Sequence, residues 1–168
     1  MSDAVVVRLG PGEVERFRRI RLASLAEAPH AFGTTHAEAA ARPEEVWRTQ
    51  LAEVPVFVAE LEGADVGIVR VAPHAEDPRR AWLISMWVAP AARGRGVGEL
   101  LVDAAIGHGR SEGKSELLLS VVSDNTHAIA LYERMRFRAT GEREVQPPPR
   151  EHLVELRYAF DLWRGAMQ

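Results

Sequence analysis

The 168-residue chain contains no cysteine. A disulfide framework, a thiol nucleophile and any thiolate-ligated metal are therefore excluded. Long apolar runs are missing too, and the N-terminus has no basic segment followed by an extended apolar one. Neither a bilayer span nor a secretory leader is expected, and the expected setting is the cytoplasm. Charge of one sign is not in excess: 21 Lys and Arg stand against 24 Asp and Glu, a net charge of −3. Such mixing points away from nucleic acid and from a membrane surface as partners. His30, His127 and His152 show no metal-ligand spacing with one another or with the acids, so no metal is expected. Repeats, low-complexity tracts and linkers are absent as well. What is present is ordinary globular composition, 46% hydrophobic and 27% charged, in a length that fits one domain over residues 1–168.

Periodicity lays out alternating strands and helices. Ala4 to Leu9 reads as a first strand, and Val14, Phe17 and Ile20 mark a first helix that Pro29 ends. Thr35-His36-Ala37-Glu38 has capping-box form, and Pro43 starts a helical stretch leading to Leu51. Val56 to Glu60 and Val66 to Val71 read as a hairpin, with Pro55 placed just before its first strand. Ala81 to Val88 is almost wholly apolar, as a central strand covered on both faces should be. The next helix is expected to bury Val97, Leu100, Leu101, Ala104 and Ala105, with His108 on the same stripe near its end. Glu116 to Val122 is a strand, and Asn125 caps a helix running to Met135. Phe137 to Glu144 and His152 to Phe160 form a final strand pair around the stiff Pro147–Pro149 loop. The Arg134, Arg136, Arg138 and Arg143 cluster is interleaved with Glu133, Glu142 and Glu144, a mixed-charge surface. The fold class is α/β, with a mixed central sheet of about six to seven strands flanked by about four helices.

The most informative stretch is Met86 to Gly98, where an apolar strand feeds a turn holding Gly94, Gly96 and Gly98 and then a helix. Without Cβ atoms, backbone N–H groups can converge there, and the helix dipole adds positive potential. Arg93 and Arg95 bring fixed charge to the same place. A phosphate or pyrophosphate suits such a cradle, although a Gly-rich strand-to-helix turn also occurs with no ligand. A nucleotide P-loop fails for want of Gly-Lys-Ser/Thr, and in a dinucleotide fingerprint the third glycine falls on Glu99.

Arg93-Gly94-Arg95-Gly96-Val97-Gly98, preceded by Val88-Ala89-Pro90, resembles the signature of the GNAT superfamily of acetyl-CoA-dependent N-acetyltransferases. A second family segment, Asn-x-x-Ala-x-x-x-Tyr-x-x-x-Gly-Phe, is matched by Asn125, Ala128, Tyr132 and Phe137, with Arg136 at the Gly position. Ala28 to Gly33 is similar to a stretch of one subgroup. The resemblance implies a single-domain GNAT-like fold that binds acetyl-CoA as cosubstrate and uses no metal. It places pyrophosphate on Arg93, Gly94, Arg95, Gly96, Val97 and Gly98. It places the pantetheine arm on the backbone of Met86, Trp87 and Val88, in a splay between two strands, and beside Asn125 and Ala128.

Tyr132 becomes the expected general acid, since a positioned phenol can protonate the departing thiolate. Taken alone, it reads first as a packed Tyr whose hydroxyl meets a backbone carbonyl, and the motif reverses that order. No carboxylate stands on Leu83 to Val88, where many family members carry a base. Glu60, His74, Glu76, Asp77 and His36 have no strong positional claim, which leaves water to take the proton. Lack of cysteine favours direct amine attack in a ternary complex. The expected acceptor is a primary amine on a small metabolite, antibiotic or peptide N-terminus, met by residues 29–36 and 145–152. A homodimer is compatible with the resemblance. The competing reading is a non-catalytic acyl-CoA-binding module on the same fold.

Overall fold

The computed structural model describes residues 3–163. Its elements run β1 (Val5–Arg8), α1 (Val14–Glu27), α2 (His36–Ala40), α3 (Glu44–Glu53), β2 (Val56–Leu61), β3 (Ala64–Pro73) and β4 (Arg80–Val88). After a 3-10 turn at Pro90–Ala92 come α4 (Val97–Ser111), β5 (Glu116–Val122), α5 (Thr126–Arg134), β6 (Arg138–Val145) and β7 (Val154–Asp161). The seven strands form one sheet in the order β1-β2-β3-β4-β5-β7-β6. Only β4 and β5 are parallel neighbours, so the sheet is mixed as expected.

Five helices form rather than about four. The expected capping box is present, with Thr35 accepting from the Glu38 N–H and Glu38 returning to the Thr35 N–H, but it closes one short helix. Pro43, whose fixed φ suits a helix start, then opens a separate one. No helix among the described residues is long and apolar enough to cross a membrane.

Two cores lie on opposite faces of the sheet. On one, α1 presents Val14, Phe17, Ile20, Arg21, Ser24 and Leu25 at helical spacing toward Val56, Val58, Ile68 and Trp87. Phe17 and Trp47 of α3 are fully buried there, edge to face at 5.3 Å, and truncating either ring would cost about 3–5 kcal/mol. On the other face, α4 and α5 cover Val69, Val71, Leu83, Leu117 and Leu119. The buried stripe of α4 is Val97, Leu101, Val102, Ala105, Ile106 and Gly109; Leu100 and Ala104, expected inside, are only half-buried. The helix is rotated because it lies tight over β3. A Cβ on Gly67 would stand 2.8 Å from the Leu101 side chain, so Leu101 and its neighbours one turn on take the central position.

Candidate active site

β4 and β5 pair only through Arg80, Ala81 and Trp82 with Glu116, Leu117 and Leu118. Beyond that point each keeps its outer neighbour, β3 or β7, but the two part from one another. The result is a wedge in the sheet that opens toward Val88 and Val122. A bulge accompanies it: Ser85 and Met86 together oppose Val69, with Ser85 at φ 60°. Past the bulge, the Ala89 N–H donates to the Val66 carbonyl on the β3 side at 2.7 Å. Antiparallel backbone groups alternate between the two edges, so Val88 turns its N–H and carbonyl into the wedge and Trp87 turns its own toward β3. The Trp87 ring is buried with the α1 and α3 core.

At the wide end of the wedge stands the Gly-rich turn. Gly94 and Gly96 have φ of 77° and 79°, the left-handed region where a side chain is strained. Gly98 lies in the first turn of α4, where a Cβ would come 3.0 Å from Leu131 and 3.7 Å from Met86. No side chain caps α4, so its first N–H groups point outward at an open dipole end. Arg93 and Arg95 flank it. Arg93 donates from Nε to the Val88 carbonyl at 3.0 Å and pairs with Glu27, while Arg95 lies 3.6 Å from Glu62.

The third wall is α5. Asn125 accepts the Ala128 N–H on its side-chain oxygen at 3.2 Å, the N-cap role expected of it. Tyr132 follows two turns later, 5% exposed, with its ring 5.8 Å from that of Phe137. Among the described residues its hydroxyl has no hydrogen-bond partner, in contrast to the backbone carbonyl a packing role would supply. Burial raises the phenol pKa well above its ordinary value, so the group is protonated at neutral pH.

The acids and histidines weighed from the sequence lie elsewhere. Glu60 and Asp65 are held by Arg16. Asp77 is bonded by Arg79, and the Glu76 and Asp77 N–H groups donate to His74 Nδ1 in the turn at the closed end of the wedge. His74 stacks on Trp82, and His36 begins α2. Sequence reasoning missed a different carboxylate, Glu155. It pairs in register with Val122 at the open end of β5 and with Glu144 on β6. Alternation puts Leu156 and Tyr158 toward α5, hence Glu155 and Arg157 toward the α1 face. Burial, then the Glu144 charge, raises the Glu155 pKa. The alternating Val154-Glu155-Leu156-Arg157 pattern carried that signal. The loops at residues 29–36 and 145–152 also meet, through Arg150 Nη1 donating to the Phe32 carbonyl at 2.6 Å.

The profile of the acetyltransferase (GNAT) family matches residues 20–137, which include the wedge, the Gly-rich turn and Tyr132. A mycothiol acetyltransferase of Rhodococcus erythropolis is 31% identical over 131 residues, 76% of this chain and 44% of the relative. The chain thus spans about half the length of the curated relatives it matches. A Salmonella typhimurium structure determined with its cofactor acetyl-CoA superposes with a TM-score of 0.77 at 19% identity, over 96% of this chain and 95% of that one. An acetyltransferase of Streptococcus pneumoniae gives a TM-score of 0.80 at 16% identity, over 95% and 99%. With a profile match over most of its length and the expected motifs on the three walls of the wedge, the chain belongs to the acetyltransferase (GNAT) family.

Proposed function

We propose that the chain, as a single catalytic domain over residues 1–168, moves the acetyl group of acetyl-CoA to a primary amine by direct attack in a ternary complex. The observation that carries this reading is the wedge between β4 and β5, with an uncapped helix start at its wide end and the Tyr132 wall beside it. Pyrophosphate sits over Arg93, Gly94, Arg95, Gly96, Val97 and Gly98, at the uncapped start of α4 flanked by two arginines, on a turn whose left-handed Gly94 and Gly96 a side chain would strain. The pantetheine arm runs along Met86, Trp87 and Val88. The Val88 amide is the wedge-facing contact, while Trp87 fixes the strand through its buried ring. Asn125 and Ala128 line the opposite side.

In the reaction the amine lone pair attacks the thioester carbonyl, the C–S bond breaks, and the Tyr132 hydroxyl gives its proton to the departing sulfur. The amine's surplus proton passes to Glu155, whose raised pKa brings it closer to neutrality than an ordinary carboxylate. The acceptor is a small molecule, in keeping with the curated relatives, whose names specify mycothiol. A peptide N-terminus is the second class of acceptor to try, and a cytoplasmic setting and a homodimer are the matching expectations for the cell and the assembly. The test is release of CoA from acetyl-CoA across a panel of primary amines. Binding of acetyl-CoA with no release on any amine would instead mark an acyl-CoA-binding module.

A further inference from the structure

Arg21 of α1 and Arg70 of β3 are 8% and 9% exposed, the buried charged side chains of the described residues. They do not stand against acids. Among the described residues no carboxylate pairs with Arg21, Arg70 or the half-buried Arg42 beside them. Arg70 lies over the Phe17 ring at 5.1 Å, Arg21 over Phe32 at 4.6 Å, and Arg42 over Trp47 at 6.0 Å. Arg21 has one long side-chain contact, 3.4 Å to the Ser24 hydroxyl. Arg70 Nε is buried with no partner, as are the indole N–H groups of Trp47 and Trp87 in the same core.

Burial lowers the pKa of both buried arginines, and repulsion lowers it further: Arg21 feels Arg70 and Arg42, and Arg70 feels Arg42. Aromatic faces offset only part of the cost of burying cations. Three like charges and a set of unused donors, gathered in one place, lack an anion.

Their position says which anion. Arg70 is paired with Ile84, two residues past Trp82, where β4 and β5 part. It therefore stands one strand spacing, about 5 Å, to the side of the wedge. It shares its face with Ile68, toward α1, opposite the face that Tyr132 walls. Phe32 and Arg42, both half-buried, are the more exposed members of this cluster.

We propose that Arg21, Arg42 and Arg70 bind a carboxylate or phosphate group carried by the amine acceptor. This rests on the N-acetyltransferase reading above and narrows its substrate class to small amines with an anionic group a few bonds from the nitrogen. The guanidiniums hold the anionic end under α1, and the amine reaches across β4 to the wedge. Phe32 and the aliphatic floor accommodate a short apolar segment between the two.

The experiment compares kcat/KM for matched acceptors: amino acids against their carboxamides, and aminoalkyl phosphates against the parent amino alcohols. The acidic member of one pair series is expected to be favoured by about 10²-fold, the discrimination available to charged hydrogen bonds in a desolvated site. The series that shows it tells carboxylate from phosphate. Arg70→Met should collapse that preference to below about tenfold, and Arg70→Lys should recover part of it. Arg42→Gln, at the edge, serves the same purpose should Arg70→Met fail to fold. Independently, inorganic phosphate should raise the melting temperature of the CoA-saturated parent, CoA filling the Gly-rich turn, and should raise that of Arg42→Gln less. Turnover with no preference for the acidic member and no response to phosphate would overturn the anion site alone. No CoA release with any amine would overturn the enzyme reading, and the acceptor assignment with it.

Discussion

The Phe137 amide donates to the Tyr132 carbonyl at 2.9 Å, and the Arg136 amide donates to the Glu133 carbonyl at 3.0 Å. Together they close α5 in a Schellman end, with Arg136 in the left-handed region at φ 72° and the Phe137 ring against that of Tyr132. The spacing Tyr-x-x-x-Gly-Phe is therefore that of a helix terminus. The bonds that stop the helix also hold the Tyr132 ring in place, and glycine belongs where the chain turns left-handed.

Arginine at that turn carries a strain of about 1–2 kcal/mol, and the greater freedom of glycine in the unfolded chain offsets about half of what its replacement would gain. Arg136→Gly is thus expected to stabilise the protein by up to about 1 kcal/mol. Thermal unfolding should show a midpoint a few degrees higher; an unchanged or lower midpoint would mean that the Arg136 side chain contributes more than its backbone costs.

Tyr132→Phe keeps the ring and its contact with Phe137 and removes a hydroxyl with no protein partner. Turnover should fall about 10²–10⁴-fold with acetyl-CoA affinity little changed. The pH dependence of stability gives a second readout. Because burial raises the phenol pKa in the fold, the folded state holds its proton above pH of about 10, where the unfolded chain has begun to lose it. Stability therefore falls as pH rises past that point, and Tyr132→Phe should lose less of it over the same range. Parallel alkaline unfolding curves for parent and variant would contradict the buried phenol.

Much of this was legible in the sequence because it is local. The capping box at Thr35, the Asn125 cap and the Gly94 and Gly96 turn are each decided within a few residues by backbone hydrogen bonds or φ. The wedge is not local. It is a failure of two strands to pair, accompanied by a bulge at Ser85. The rotation of α4 depended on a close approach to Gly67, thirty-four positions from Leu101. Arg70 did carry a visible sign, a lone cation in the otherwise apolar run Val66 to Ala72. Its meaning needed Arg21 and Arg42, which only the packing of α1 and the α2–α3 turn against β3 brings near.

Gly96→Glu should abolish CoA binding by putting a carboxylate on the turn whose backbone donors would face phosphate, and Gly98→Glu should do so by driving a side chain against Leu131 and Met86 and displacing α5. Gly98→Ala is the graded control. Its methyl meets Leu131 at 3.0 Å, a contact that a shift of a few tenths of an ångström in that side chain relieves. Calorimetry should find binding weakened by the alanine and undetectable with either glutamate. Parental affinity in a glutamate variant would remove the turn from the cofactor site while leaving the fold intact.

Glu155 is the remaining point at which the chemistry can be pressed. The β4 strand offers no acid, and Glu60 and Asp77 are held by Arg16 and Arg79 away from the wedge. Glu155 is half-buried at the open end of β5, on the face that the acceptor would approach. Burial and Glu144 disfavour its charged form, which strengthens it as a proton acceptor. Glu155→Gln keeps the shape and removes the basic oxygen, so turnover should fall about 10²-fold at neutral pH with acetyl-CoA binding intact. Glu60→Ala, Glu76→Ala and Asp77→Ala should each cost less than about tenfold. If water takes the proton instead, Glu155→Gln will turn over at near the parental rate and both enzymes will speed up with pH together, following the free-amine fraction of the acceptor. A rate deficit in the variant that persists at pH values where the acceptor is already the free amine identifies the carboxylate, because the nitrogen still has a proton to lose after attack.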